Sequence, residues 1–134
     1  MNWKLIFLLS GFGILMGLAT VYIIPAGVET IIWLIILVFC AWVIQKVLKT
    51  RYFIHGFLVC MINSLCVTGA HLFLSSAYLA HHPEEAASYA KLQSEYHVSM
   101  TQAMLLFSPF IGLMSGLFLG ILSNVFALVR QRAA

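Results

Sequence analysis

The sequence predicts an all-α membrane protein: an antiparallel four-helix transmembrane bundle with a short extracytoplasmic helix between the third and fourth spans. Three observations carry that expectation. Only 8% of the 134 residues are charged and 63% are apolar, with a mean hydropathy of +1.03. Soluble domains carry about 25% charged residues, and a chain this poor in charge could not cover its surface in water. Four apolar runs, residues 5–24, 30–48, 52–79 and 100–129, approach or exceed the roughly 20 residues that take a helix across a hydrocarbon core of about 30 Å. The basic residues are also distributed unevenly. With the N-terminus inside, the inner side carries Lys4, Lys46, Lys49, Arg51, Arg130 and Arg132, and the outer side carries Lys91 with every acid, Glu29, Glu84, Glu85 and Glu95. That is the positive-inside pattern, so a multi-pass protein of the inner (plasma) membrane with both termini cytoplasmic is expected. All 134 residues form a single membrane domain in this reading.

The first span follows Lys4 and ends at Pro25-Ala26-Gly27, a helix-breaking run. A signal peptide is the rival, but its apolar region is about 7–15 residues and ends in a small-x-small cleavage site. Here the run is longer and ends in Val21-Tyr22-Ile23-Ile24-Pro25. The second span contains no glycine between Thr30 and Leu48 and is rich in Ile and Val. Without a small-residue ridge it is expected to give much of its surface to lipid, with Trp33 and Trp42 near its two ends as an aromatic belt. Short loops on either side make spans 1, 2 and 3 expected antiparallel neighbours. The third span is too long to stand upright, and so tilts or protrudes.

Residues 80–102 are the one substantial hydrophilic segment. Pro83 suits a first helical position, and Glu84 and Glu85 suit the positive end of a helix dipole. Tyr89, Leu92 and Tyr96 share one face, as in a helix lying on headgroups. Ser99-Met100-Thr101-Gln102 matches a capping box that opens the fourth span. Pro109 is expected to kink that span early.

Two small-residue faces stand out. Ser10, Gly13, Gly17 and Thr20 form one stripe on the first span, and Ser108, Gly112, Gly116 and Gly120 form an i+4 ladder on the fourth. Such ridges let helices approach closely in lipid. The leading expectation is that spans 1 and 4 pack on each other; a homodimer seam along span 4 and a glycine-lined path are the alternatives. In layout the chain resembles the small four-span bacterial inner-membrane families labelled only as domains of unknown function. That likeness is one of span pattern and charge and implies no site residues.

The third span is the most polar and the best place for chemistry. Cys60, Asn63, Ser64, His71 and Ser75 collect largely on one face. Interhelical hydrogen bonding explains such a face at about 0.6 kcal/mol per contact. A proton relay, ion contact or small-ligand site at His71 with Asn63 is the functional alternative, because ionisable residues within a membrane are often functional. Bis-His haem ligation fails, because His55 and His71 lie about 24 Å apart along one helix and no other span carries a histidine. His81, His82, Glu84, Glu85, Glu95 and His97 supply the residue types of a zinc or copper site, but their spacing matches no metal motif and a solvated loop is the expectation. Cys40, Cys60 and Cys66 lie in apolar runs as an odd set without Cys-x-x-Cys, which speaks against a disulfide framework. No nucleophile elbow, phosphate loop or zincin helix occurs, and no basic stripe interleaved with aromatics suggests nucleic acid.

The sequence therefore predicts no cofactor and no catalytic residue. Its expected partners are the lipid bilayer and either a second copy or a larger membrane complex. A structural, interaction or accessory subunit packed through small-residue faces is the leading role, and a small transporter or channel using the polar face of the third span is the alternative.

Overall fold

The computed structural model describes residues 1–133, the side chains of Ala26 and Ala133 excepted. Among these residues there is no strand; the chain forms α1 (Trp3–Tyr22), α2 (Ala26–Val47), α3 (Tyr52–Phe73), α4 (Ser75–His81), α5 (Pro83–Tyr96) and α6 (Met100–Ala133). Four of them, α1, α2, α3 and α6, are long and apolar enough to cross a membrane.

Local chemistry sets the helix ends. The Asn2 side chain accepts a hydrogen bond from the Leu5 N–H at 3.1 Å and starts α1. Pro25 adopts an extended conformation ahead of α2, and Arg51 takes a left-handed one (φ 61°) between α2 and α3. Pro83 opens α5 with Glu84 and Glu85 in its first turn. At α6 the Ser99 N–H donates to Gln102 Oε1 at 2.9 Å and the Gln102 N–H to Ser99 Oγ at 3.3 Å, the reciprocal pair of a capping box. α6 then continues through Pro109 as one helix.

α3 is the centre of the assembly. α1 lies along one side of it, α6 along the other, and α2 rests chiefly on α6. Contacts advance together along α1 and α3, from Asn2–His55 through Gly13–Asn63 to Thr20–His71. They run in opposite order along α3 and α6, from Gly56 beside Leu119 to Ser64 beside Ser108. The expected packing of the first span on the fourth is not formed: among the described residues no Cα of α1 lies within 8 Å of one in α6. Both small-residue ridges are instead occupied by α3. The reason is steric. A Cβ on Gly13 would lie 2.7 Å from the Asn63 Cα, and one on Gly17 would lie 2.8 Å from the Ala70 Cβ. One on Gly112 would strike the Ser64 side chain, and one on Gly120 would meet the Phe53 ring at 2.7 Å. Each glycine lies where its backbone approaches the backbone, a short side chain or an aromatic ring of α3. α1 and α3 both touch their sequence neighbour α2, though more lightly than α6 does.

The third apolar run is not a single helix of 28 residues. It breaks at Leu74 (φ −110°, ψ 29°) into α3 and α4. In an unbroken helix His71 and Tyr78 would be two turns apart, about 10.5 Å. Across the break their rings stack at 4.0 Å between centroids.

Two buried clusters follow. The larger one, built on Leu5, Ile6, Ile44, Val59 and Leu119, fills the end of the bundle near the termini. The smaller, Val21, Tyr78 and Met104, lies at the other end, where α5 folds back over α4 and α6 through Tyr89. The core between the two ends is incomplete, and a cleft lies there.

Candidate functional site

The cleft has a volume of about 470 Å³ and is bounded by α2, α3 and α6, with α4 and α5 across its outer end. Its geometry begins with the weak contact between α2 and α3. Because α2 leans on α6 rather than on α3, a gap remains along the polar face of α3. On one wall α2 supplies Glu29, Trp33 and Leu37, three residues at i+4 spacing on one helix face. On the opposite wall α3 supplies Cys60, Asn63, Ser64 and His71. From α6 come Met104, Phe107 and Ser108, and from the outer helices Tyr78, Glu85 and Tyr89.

Asn63 is the most informative of these. It is 3% exposed. Its Oδ1 accepts the Gly13 N–H at 3.0 Å, while its Nδ2 has no hydrogen-bond partner. Buried side-chain amides are nearly always satisfied, so an orphaned donor on the wall of a cleft calls for an explanation.

A second group closes the outer end. The Thr20 hydroxyl donates to the Met16 carbonyl at 2.9 Å, within its own helix turn. With that hydrogen placed, Thr20 Oγ1 accepts from His71 Nε2–H at 2.8 Å, which leaves His71 Nδ1 as an acceptor. His82 Nε2–H donates to the Thr20 carbonyl at 2.7 Å. The Tyr78 ring is stacked between the two histidines, 4.0 Å from His71 and 4.6 Å from His82. Tyr78 donates its phenol hydrogen to Glu85, whose other oxygen lies 3.8 Å from His82 Nδ1. Burial first, and then the hydrogen bond to Glu85, hold the Tyr78 phenol well above its ordinary range; burial and Glu85 together also raise Tyr89. Tyr78 is therefore a neutral donor at any physiological pH. Glu29 accepts from Trp33 Nε1 at 3.2 Å and stands on the opposite wall.

Four of the five candidate residues of the polar face, Cys60, Asn63, Ser64 and His71, line this one cleft; Ser75 does not. His55 lies elsewhere, donating to the Arg51 carbonyl at 2.8 Å and accepting the Asn2 N–H at 3.0 Å, so it fastens the start of α1. On the packing faces, Ser10 donates to the Val59 carbonyl at 3.4 Å and Ser108 to the Ser64 carbonyl at 3.3 Å. The six candidate metal ligands do not converge: among the described residues no three His, Cys, Asp or Glu side chains could share an ion. His81, Glu84, Glu95 and His97 face solvent, and His82 and Glu85 belong to the Tyr78 group.

Sequence reasoning passed over Glu29, Trp33 and Tyr89 as site residues. The available signal was the i+4 series Glu29, Trp33, Leu37, which places the one acid of the second helix on the same face as its first tryptophan. No protein-family model, curated protein or solved structure matches this chain.

Proposed function

We propose that the chain is a multi-pass membrane protein whose four apolar helices run alternately up and down, with both termini cytoplasmic, and that it binds a small amphiphilic molecule in the cleft. The observation that carries this reading is the cleft of about 470 Å³ itself, whose walls join apolar side chains to Glu29, Glu85 and Asn63, the last with a buried Nδ2 that has no protein partner. The volume suits such a ligand, since small-molecule sites commonly measure about 300–1,000 Å³ and combine apolar walls with a few placed polar groups. The six basic residues at one end, against Lys91 at the other, support the orientation. In that orientation the cleft faces the outer half of the bilayer, and the core of Ile6, Ile44, Val59 and Leu119 closes the inner half. Passage to the cytoplasm would require that core to part, so binding is the primary activity and transport needs a further conformational step.

A role as an assembly subunit, alone as a homo-oligomer or within a larger complex, drew on the glycine ladder of α6. With that ladder filled by α3, the outer faces of α2 and α6 carry large apolar side chains suited to lipid.

The test uses the protein in mild detergent. A variant with Thr68→Cys as its sole cysteine (Cys40→Ala, Cys60→Ala, Cys66→Ala) is expected to react with a small water-soluble methanethiosulfonate, because Thr68 lines the cleft and is partly exposed. A variant keeping only Cys40, which is fully buried and off the cleft, is expected to stay unmodified. Equal inertness of the two cysteines would count against an accessible cleft.

A further inference from the structure

We propose, building on the cleft as a binding site, that its ligand is an amphiphilic organic cation whose ammonium group sits at the outer end between Glu29 and Glu85. Charge is the first reason. Both carboxylates line the cleft, and no Lys or Arg does so among the described residues. Among the described residues the only basic side chain within 4.0 Å of either carboxylate is His82, at 3.8 Å from Glu85. Two acids facing one low-dielectric space repel each other, and a cation placed there relieves the repulsion.

The aromatic lining is the second reason. Trp33 and Tyr89 stand at the same end as the two acids. Their ring faces attract alkylammonium groups, with a gain that reaches about 2 kcal/mol when the cation is desolvated. Tyr78, its ring faces taken by the two histidines, offers no face to the cation but holds Glu85 through its phenol, so that carboxylate is positioned before any ligand arrives.

The third reason is independent of charge. Asn63 lies eight residues before His71 on α3, about 12 Å along the helix axis from the Tyr78 level. Its Nδ2, which has no protein partner, is the donor available to an oxygen at the other pole of the ligand. Between these poles the cleft is walled by Leu37, Val67, Phe107 and Ile111. The complementary molecule has an ammonium head, an apolar body about 12 Å long and a hydroxyl or carbonyl oxygen at its far end.

The experiment uses the full chain in nanodiscs of uncharged phosphatidylcholine. Trp3 and Trp42, both about half exposed, are replaced by Phe, so that Trp33 alone reports the cleft by fluorescence. Two probes share a 10-hydroxydecyl chain. One bears a trimethylammonium head, and the other bears a dimethylamine N-oxide head that is net neutral at pH 8. The cation is expected to bind at least tenfold more tightly than the N-oxide. Glu29→Gln keeps the acceptor for Trp33 Nε1 and is expected to reduce that preference at least threefold, with the same direction for Glu85→Gln. Asn63→Leu is expected to weaken both probes alike, because it removes the donor at the far pole. Equal affinity for the two heads, with sensitivity to Asn63→Leu retained, would overturn the cation inference and leave the cleft intact as a binding site. Failure of both probes to perturb Trp33 would overturn the cleft reading with it.

Discussion

The two sides of α3 use similar residues and arrive at different results. Against α1, the stripe of Ser10, Gly13, Gly17 and Thr20 meets α3 backbone and short side chains. Four polar contacts join them, from the Asn2 N–H to His55, from Ser10 to the Val59 carbonyl, from the Gly13 N–H to Asn63 and between Thr20 and His71. Against α6, Gly116 and Gly120 meet the Phe57 and Phe53 rings, Gly112 meets the Ser64 side chain and Gly56 of α3 meets the Leu119 backbone, and among the described residues the one interhelical hydrogen bond, from Ser108 to the Ser64 carbonyl, is long at 3.3 Å. The first seam is closed along its length. The second is closed by the Phe53 and Phe57 rings and, farther along, by the Ser64 side chain, and the cleft opens beside it, where α2 stands away from α3. Small residues thus permit close approach on both sides, joined by several polar contacts against α1 and mainly by rings and short side chains against α6.

Alanine in place of glycine tests this difference most severely. At Gly13 a Cβ would press on the Asn63 backbone, with its Cα at 2.7 Å and its carbonyl oxygen at 2.8 Å. Neither can move without shifting the helix, so Gly13→Ala is expected to cost about 1–3 kcal/mol, the usual penalty of overpacking. At Gly120 the nearest atoms belong to the Phe53 ring, which can turn, so Gly120→Ala is expected to lose less. Thermal unfolding of both variants in one detergent measures the contrast, and equal losses would mean that the two seams are equally rigid. Gly69 provides the control. Nothing lies within 4 Å of its would-be Cβ, and Gly69→Ala is expected to be neutral or to stabilise by about 0.4–1 kcal/mol by restricting the unfolded chain.

These contrasts also mark what could be read from sequence. The four apolar helices, the helix opened by Pro83 and the Ser99–Gln102 cap depend on composition and on residues a few positions apart, so they are legible in a single chain. The two glycine faces are legible as surfaces of close approach. Their partner is not, because what α1 grips is the Val59 carbonyl, the Asn63 backbone and Val67, features that leave no pattern in α3. The break at Leu74 lacks Pro and Gly, and only Ser75-Ser76 marks it. That break places Tyr78 on His71 and brings Glu85 to the cleft, so the outer half of the site depends on tertiary structure. The polar face of α3 was visible at Cys60, Asn63, Ser64 and His71. The opposite wall was not, since the gap exists only because α2 leans on α6.

Asn63 sits where the closed side and the open side meet, and one substitution separates its roles. Asn63→Leu removes the bond to the Gly13 N–H, a loss of about 1 kcal/mol, but also removes a buried donor that the protein leaves unpaired. The two effects oppose each other. Unfolding is expected to move by less than about 1 kcal/mol in the absence of ligand, while ligand-dependent stabilisation disappears. A large loss of stability without ligand would make Asn63 a packing residue first.

The smallest expected effect concerns the Thr20–His71 contact, which closes the same seam at its outer end. The His71 Nε2–H donates to Thr20 Oγ1 at 2.8 Å, while the carbonyl of the same threonine receives His82 at 2.7 Å. Thr20 therefore ties α1 to both sides of the Leu74 break. Hydrogen bonds between membrane helices average only about 0.6 kcal/mol in double-mutant cycles, because the separated helices also find partners. Thr20→Val removes the hydroxyl but keeps the carbonyl, and His71→Phe keeps a ring for Tyr78 to stack on. The coupling between these two substitutions is expected near 0.6 kcal/mol, measured by unfolding of the two single variants and the double variant. A coupling near zero would mean that stacking on Tyr78 positions His71 without Thr20. A coupling several times larger would mean that the outer end of the cleft is held by this bond, and that whatever loosens it opens the site.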